Sequence, residues 1–202
     1  NTFAEQAVGL IKGGTDAFLI ETSQDLLQTK AAVNGCKQAI AQLGIRLPIF
    51  VEITVELTGT MLMGSEIGAA LTALEPLGVD MIGLNCATGP TEMSEHLRYL
   101  SKHSQIPVMC MPNAGLPVLT ATGASYPLTP DQLATAHEQF VREFGLSLVG
   151  GCCGTTPEHM KAVVDRLAGT TAAARVINEE PGVASLYQHV PFNQDNAYLA
   201  IG

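Results

Sequence analysis

The sequence is short of basic residues and of long apolar runs. Its 202 residues include 10 lysines and arginines against 19 aspartates and glutamates, a formal net charge of −9. Nucleic acids and anionic membrane surfaces repel a chain of that charge, so neither is expected as a partner. No apolar stretch is long enough to span a bilayer, and the first residues lack the pattern of a signal peptide. Because 47% of the residues are hydrophobic, the composition predicts a globular protein with a sizeable core.

The spacing of disulfide frameworks and zinc fingers is also missing. Five cysteines, an odd number at uneven intervals, do not match the framework of a small secreted protein. No C-x-x-C or H-x-x-x-H pair occurs, so a closed structural zinc site lacks its fourth ligand. We therefore expect a reducing, cytoplasmic setting, in which thiols serve packing, metal binding or catalysis.

What the sequence does contain is a regular alternation of short apolar runs and amphipathic segments. The apolar runs predict strands at 16–22, 47–55, 79–87, 106–115 and 146–153. The amphipathic segments predict helices at 2–14, 25–43, 65–78, 91–103, 129–145 and 156–169. Apolar strands separated by helices predict a parallel sheet, as in a doubly wound fold or a (β/α)8 barrel. No G-x-G-x-x-G or phosphate-binding loop follows the first strand, which counts against a nucleotide-binding fold.

Five βα units are fewer than the eight of a complete barrel. The predicted fold class is therefore α/β, a partial (β/α)8 TIM-type barrel over residues 1–169, with about five of its eight units. Its two sheet edges, at 16–22 and 146–153, would carry unpaired backbone groups, which favours self-association. The stretch 170–202 loses the alternation and predicts an extended linker. Four side chains of this linker are candidates to cover exposed apolar surface: Leu186, Tyr187, Val190 and Phe192.

Polar and thiol side chains stand at the C-terminal ends of the predicted strands, where the active sites of parallel α/β folds lie. They are Glu21 and Thr22, Glu52 and Thr54, Asn85 and Cys86, Asn113, and Cys152 and Cys153. The other two cysteines fit packing roles. Cys36 shares the apolar face of its predicted helix, and Cys110 lies within a strand.

The segment VGGCCGTTPEHM (149–160) places two cysteines side by side where a strand gives way to a helix. Three thiolates with one open position form a catalytic zinc site, and Cys86, Cys152 and Cys153 would supply them if their strand ends are neighbours. The glycines around the pair can adopt positive φ and so turn both thiols towards one centre. Two other interpretations stay open on spacing alone: a strained disulfide within the pair, and buried packing thiols.

Four segments carry a resemblance to a known family: LIETSQDLLQTKAA (19–32), GLNCATGP (83–90), PNAGLP (112–117) and VGGCCGTTPEHM (149–160). Together they resemble the homocysteine-binding module of the homocysteine S-methyltransferases. Within that family, PNAGLP and the extended tail resemble the cobalamin-dependent members. In those members the homocysteine barrel is followed by a linker and a folate-binding barrel, and AYLAIG (197–202) resembles the first strand of the latter.

The resemblance implies a role for each site residue. Cys86, Cys152 and Cys153 would bind zinc. Glu21 would hold the ammonium group of homocysteine, and Asn113 would offer an oxygen to zinc before the substrate binds. The family's barrel also has three earlier βα units that contribute a further acidic residue, so the resemblance implies little activity for this chain alone.

The resemblance also implies a reaction. Homocysteine would receive a methyl group from methylcobalamin to form methionine, with cobalamin and folate bound by other modules of the same full-length chain. A betaine- or S-methylmethionine-using methyltransferase of the same family is the alternative. A thiol redox module or a structural zinc module without catalysis is the alternative from another class.

Overall fold

The computed structural model describes residues 2–121 and 123–193, which form alternating helices and strands. The helices within these residues are α1 (Thr2–Lys12), α2 (Leu26–Leu43), α3 (Ile67–Leu74), α4 (Pro90–His103), α5 (Pro130–Gln139) and α6 (Pro157–Leu167). The strands are β1 (Phe18–Ser23), β2 (Ile49–Ile53), β3 (Met81–Asn85), β4 (Val108–Met111), β5 (Val118–Thr120), β6 (Gly123–Ser125), β7 (Leu148–Val149), β8 (Gly182–Ala184) and β9 (His189–Pro191). A short 3-10 turn (Glu75–Leu77) extends α3, and a π-helical turn (Phe140–Phe144) extends α5.

Five of these strands form one parallel sheet, in the order β1-β2-β3-β4-β7. Neighbours in the sheet are consecutive βα units, as in a barrel, and the order has two ends, at β1 and β7. The predicted partial (β/α)8 barrel of about five units is therefore confirmed. The described residues do not close the sheet into a ring.

The helices cover one face of the sheet. Alternate strand residues, such as Val51, Ile82 and Val108, are fully buried in a single core with side chains of helices α1 to α4 and of the turn after α5. A doubly wound sheet would bury helices against both faces, whereas a barrel keeps them outside. The opposite face, which we call the inner face, carries the intervening residues, among them Glu52 and Asn85.

Helix α2 has capping residues at both of its ends, whereas α3 begins later than predicted. Asp25 caps α2 by accepting the Gln28 amide at 2.7 Å, and Gly44 ends it in the left-handed conformation. At α3 the predicted helix start at 65 is two residues early, because Glu66 is the N-cap residue and makes no side-chain cap bond. The Ser65 hydroxyl instead donates to the carbonyl of Leu186 in the tail at 2.6 Å.

Two antiparallel hairpins, β5-β6 and β8-β9, were not indicated by the sequence. Each strand has only three residues, too few to display the alternation that identifies a strand. The β8-β9 hairpin packs on α3, where Thr72 Oγ1 lies 2.8 Å from His189 Nδ1 and Tyr187 O accepts the Glu66 amide. The predicted linker is thus partly folded against a helix.

The four apolar residues of the tail that were expected to cover apolar surface are only partly buried. Before the hairpin, Asn178 bonds to Lys102 and His103 at the end of α4. Leu186, Tyr187 and Phe192 remain about half exposed, and Val190 is partly buried. The tail therefore covers the outer side of helices α3 and α4. Self-association at the sheet edges stays a prediction, and AYLAIG (197–202) lies outside the described residues. Within the described ranges, no helix combines the length and apolarity needed to cross a bilayer.

Candidate functional site

Three cysteines that are far apart in sequence converge at the C-terminal ends of neighbouring strands. Cys86 directly follows β3, and Cys152 and Cys153 follow β7. The Sγ atoms of Cys86 and Cys153 are 3.8 Å apart, those of Cys152 and Cys153 are 3.9 Å apart, and all three lie within 4.8 Å of one another. A tetrahedral ion with metal–sulfur bonds of about 2.3 Å holds its ligands about 3.8 Å apart. The spacing of the sulfurs therefore fits a tetrahedral metal ion.

The electrostatics of the three thiols favour a bound cation. Burial, and then the negative charge of Cys86 and Cys153, raises the pKa of Cys152 to about 12. The three sulfurs therefore resist becoming thiolates together unless a positive charge lies among them. Cys152 and Cys153 are free thiols rather than a disulfide. The sequence hypothesis of packing thiols does not fit Cys153, which is exposed, whereas Cys36 and Cys110 are buried in the core as expected.

Three residues at the strand ends around the cluster have left-handed backbone conformations, which residues other than glycine rarely adopt. Cys86 and Ala87 have φ values of 61° and 59°, and Thr22, at the end of β1, has 55°. Left-handed residues other than glycine are uncommon and tend to occur at functional sites. The turn at Cys86 directs its thiol away from the path of β3 and towards the loop after β7.

The glycines of the cysteine loop, residues 150–154, do not all have the positive φ that the sequence suggested. Of Gly150, Gly151 and Gly154, only Gly154 has a positive φ, 78°. A methyl group on Gly154 would overlap the Cβ and Cγ of Tyr126. A methyl group on Gly151 would lie 2.7 Å from the hydroxyl oxygen of Thr155 and 2.8 Å from its Cβ. Gly151 is therefore needed for close packing inside the loop, and Gly154 for both packing and conformation.

Asn85 links the end of β1 to the cysteine cluster. Its side-chain oxygen accepts the Thr22 amide at 2.8 Å, and its nitrogen donates to the Thr22 hydroxyl at 2.9 Å. The same nitrogen lies 3.8 Å from the sulfur of Cys152, within reach of a weak hydrogen bond. A donor to a ligand sulfur orients it and moderates its negative charge. The sequence placed Asn85 at a strand end but gave it no role.

Asn113 and His137 hold the cysteine loop from its other side. Asn113 is buried, and its side-chain oxygen accepts the Cys153 amide at 3.0 Å. The implied approach of this oxygen to a metal stays a prediction. The His137 ring donates from Nε2 to the carbonyl of Gly150 at 2.7 Å, and burial lowers its pKa to about 4. The ring is therefore neutral at pH 7 and acts as a fixed hydrogen-bond donor. Sequence reasoning missed it, because it lies on α5, remote from any strand end.

Two acidic side chains lie on the neighbouring strands β1 and β2. Glu21, on β1, is exposed. Glu52, on β2, is fully buried, and neither of its carboxylate oxygens has a hydrogen-bond partner within the described residues. Burial, and secondarily the charge of Glu21, raises the pKa of Glu52 to about 8. Glu52 is therefore an uncharged acid at neutral pH.

The raised pKa of Glu52 predicts a pH-dependent stability. Between about pH 4.5 and about pH 8 the folded chain keeps a proton that the unfolded chain has released, so the free energy of unfolding falls as the pH rises. The full loss, reached above pH 8, is on the order of 5 kcal/mol. Since Gln cannot ionise, we expect Glu52→Gln to be more stable than the wild type at pH 8.5 and nearly equal at pH 4.5. Urea unfolding at both pH values tests this.

A matched control is Glu5→Gln, which removes an exposed carboxylate from α1. It should leave the free energy of unfolding close to that of the wild type at both pH values. If Glu52→Gln and the wild type lose stability in parallel between pH 4.5 and 8.5, the assignment of a protonated Glu52 is wrong.

Comparison with known proteins identifies the family. The family model described as homocysteine S-methyltransferase matches residues 1–167, which is most of the chain. The chain belongs to this family. The resemblance noted in four sequence segments is thereby confirmed for the family as a whole.

Relatives of this homocysteine S-methyltransferase chain include much longer proteins. A methionine synthase of Mycobacterium tuberculosis is 61% identical over 202 residues, and one of Mycobacterium leprae is 61% identical over 207 residues. Both alignments cover 100% of this chain but 17% of the relative. The chain thus spans about a sixth of the length of these curated relatives.

Solved structures support the fold of the family. The homocysteine methyltransferase MmuM of Escherichia coli matches with a TM-score of 0.58 in its apo form and 0.59 in its metallated form. Sequence identity is 20% in both cases, and each match covers 81% of this chain. The matches cover 57% and 52% of the two solved chains. This likeness shows the barrel-type fold of the homocysteine S-methyltransferase chain.

Proposed function

We propose that this chain binds homocysteine and holds the zinc ion that activates its thiol for methylation to methionine. The observation that carries the proposal is the convergence of Cys86, Cys152 and Cys153 at the spacing of a tetrahedral ion. Three sulfur ligands leave one tetrahedral position for a fourth sulfur, that of the substrate. Membership of the homocysteine S-methyltransferase family supports homocysteine as that thiol.

The donor set of the site fits zinc well. Thiolates are preferred ligands of zinc, and three protein ligands with an open position are typical of catalytic zinc sites. When bound, zinc supplies positive charge that keeps a coordinated thiol deprotonated at neutral pH, where a free thiol is mostly protonated. Cys86, Cys152 and Cys153 would hold it.

The side chains around the cluster perform the remaining tasks. The contacts of Asn85 to Cys152, of Asn113 to Cys153 and of His137 to Gly150 hold the cysteine loop in place. Cys153 is exposed and Cys86 is partly exposed, so an incoming thiol can reach the cluster from solvent. Glu21, on the strand that Asn85 ties to the cluster, would bind the ammonium group of the substrate.

We propose methylcobalamin as the methyl donor, bound by another module of the full-length chain. The support is the identity of 61% to two proteins named methionine synthase, of which this chain spans 17%. On the same ground we propose that residues 1–169 are the C-terminal part of the homocysteine barrel. Residues 170–202 would be the linker that leads towards a folate-binding module. Five free thiols fit the proposed reducing cytoplasm.

The substrate role of Glu21 leads to the experiment that tests this function. We expect Glu21→Gln to weaken homocysteine binding by roughly 10- to 100-fold, because a charge-assisted hydrogen bond contributes about 1.5–3 kcal/mol. Zinc content should stay unchanged, since Glu21 is not among the residues of the cysteine cluster. Isothermal titration of homocysteine into the zinc-loaded protein at its full natural length, with metal analysis, measures both quantities.

The matched control is Asp16→Asn, which removes an exposed carboxylate just before the opposite end of β1. It should bind homocysteine as the wild type does. Wild-type protein that takes up zinc but shows no heat of homocysteine binding would refute the proposed function. Equal affinities of the wild type and Glu21→Gln would refute the role of Glu21.

A further inference from the structure

Glu52 is a buried acid that nothing in the described part of the chain accounts for. Its side chain is 0% exposed, and both carboxylate oxygens lack a hydrogen-bond partner there. Burying a carboxyl group without a partner is costly to stability. Natural sequences retain such a cost mainly at sites where function requires it.

The position of Glu52 puts it beside the proposed substrate site. Ile20 of β1 pairs with Val51 of β2, so Glu21 and Glu52 each come one residue further along neighbouring strands. The charge of Glu21 contributes to raising the pKa of Glu52, in keeping with their places on neighbouring strands. Across β3 the partner of Glu52 is Gly83, which presents no side chain to it. Met109 fills the space over Gly83, and Glu52 is closed to solvent, whereas Glu21 is exposed. A ligand on the inner face therefore meets Glu21 directly and contacts Glu52 once the side chains that cover Glu52 move.

The electrostatics of this region favour a cationic ligand. None of the ion pairs formed within residues 2–121 and 123–193 includes Glu21 or Glu52. The same residues hold one group of three or more possible metal ligands, that of the three cysteines, and neither acid belongs to it. An ammonium group, with three N–H donors, matches two carboxyl groups that have no ion-pair partner among the described residues.

We propose that Glu52 is a second carboxylate for the ammonium group of the amino-acid thiol, which it binds together with Glu21. This inference rests on the proposed function and adds a specificity residue to it. A thiol without an amino group gains nothing from Glu52, so Glu52 selects amino-acid thiols over other small thiols.

Substrate binding is then coupled to the release of one proton from Glu52. Glu52 keeps its proton at pH 7 in the free protein, with Glu21 on β1 and the Cys110 thiol on β4 as its titratable neighbours. The ammonium group favours the ionised carboxylate, so Glu52 releases its proton to solvent as the ion pair forms. No covalent bond to the substrate is made or broken in this step.

The test compares two thiols of the same length in the zinc-loaded protein at its full natural length. L-Homocysteine carries the amino group, and 4-mercaptobutanoate lacks it. We expect Glu52→Gln to weaken homocysteine binding about 10-fold or more and to change 4-mercaptobutanoate binding less than about twofold. Glu5→Gln, on the outside of α1, should alter neither affinity.

The other outcomes of this comparison distinguish the role of Glu52 from the proposed function. Equal homocysteine affinity of the wild type and Glu52→Gln overturns this inference alone, and so does an equal loss for both thiols, which would indicate a structural role. A wild type that binds neither thiol overturns the proposed function and this inference with it.

Wild-type protein alone provides a second test, should Glu52→Gln fail to fold. Titration at pH 7 in buffers of different ionisation enthalpy counts released protons. We expect homocysteine to release about one proton more than 4-mercaptobutanoate. Equal proton release by the two thiols overturns the inference.

Discussion

Replacing any one of Cys86, Cys152 and Cys153 by serine should lower the zinc affinity of the protein by more than about 100-fold. Loss of a group that only orients a metal ligand already costs 10- to 100-fold, and here the ligand itself is lost. A hydroxyl is a poor replacement because zinc prefers the thiolate. Competition with a chromophoric zinc chelator measures the affinity, and homocysteine methylation by the full-length protein should fall with it.

Cys36→Ala is the matched control, since it removes a thiol that is buried against the core on α2. It should reduce stability modestly and leave zinc affinity within about threefold of the wild type. If all three serine variants hold zinc as tightly as Cys36→Ala, the metal is bound elsewhere and the proposed centre is wrong.

Replacing Gly154 by alanine should also disrupt the centre, although it removes no ligand. The residue has a φ of 78°, and its added methyl group would overlap the Cβ and Cγ of Tyr126. Because these atoms lie near the Tyr126 backbone, a rotation of the ring does not relieve the overlap, and the turn after Cys153 has to move. We expect zinc affinity to fall at least about 10-fold, the scale of other losses of ligand orientation.

Gly169→Ala separates the two effects of this substitution. Gly169 has a φ of 73°, and no atom lies within 4 Å of a methyl group placed there. It therefore carries the same backbone strain, about 1 kcal/mol, without the overlap. We expect Gly169→Ala to lose that stability and to keep its zinc affinity, measured by chelator competition. Equal zinc affinity of Gly154→Ala and Gly169→Ala would contradict the role assigned to the loop.

The barrel-type fold was predictable because its signals are local. Apolar runs bounded by turn residues mark the five strands of the sheet, and helix signals such as Asp25 and Gly44 mark the intervening segments. The two hairpins escaped prediction because strands of three residues have no period. The docking of the tail on α3 escaped because it depends on distant contacts, such as that of Ser65 with Leu186.

The candidate site was predictable to the extent that its residues stand at strand ends. The parallel sheet brings Cys86 together with Cys152 and Cys153, as the sequence suggested. The supporting residues were not predictable in the same way. His137 reaches the cysteine loop from a helix, and the burial of Glu52 depends on the inner face of the folded sheet.

X-ray absorption at the zinc edge tests the central claim most directly, because it counts the sulfur atoms around the metal with and without substrate. For the zinc-loaded protein at its full natural length, we expect three sulfur neighbours at about 2.3 Å. Addition of homocysteine should raise the number to four, and 4-mercaptobutanoate at saturation should do the same. A zinc ion with fewer than three sulfur neighbours, or one whose sulfur count does not change when homocysteine binds, would refute zinc binding by the three cysteines with an open position for the substrate thiol.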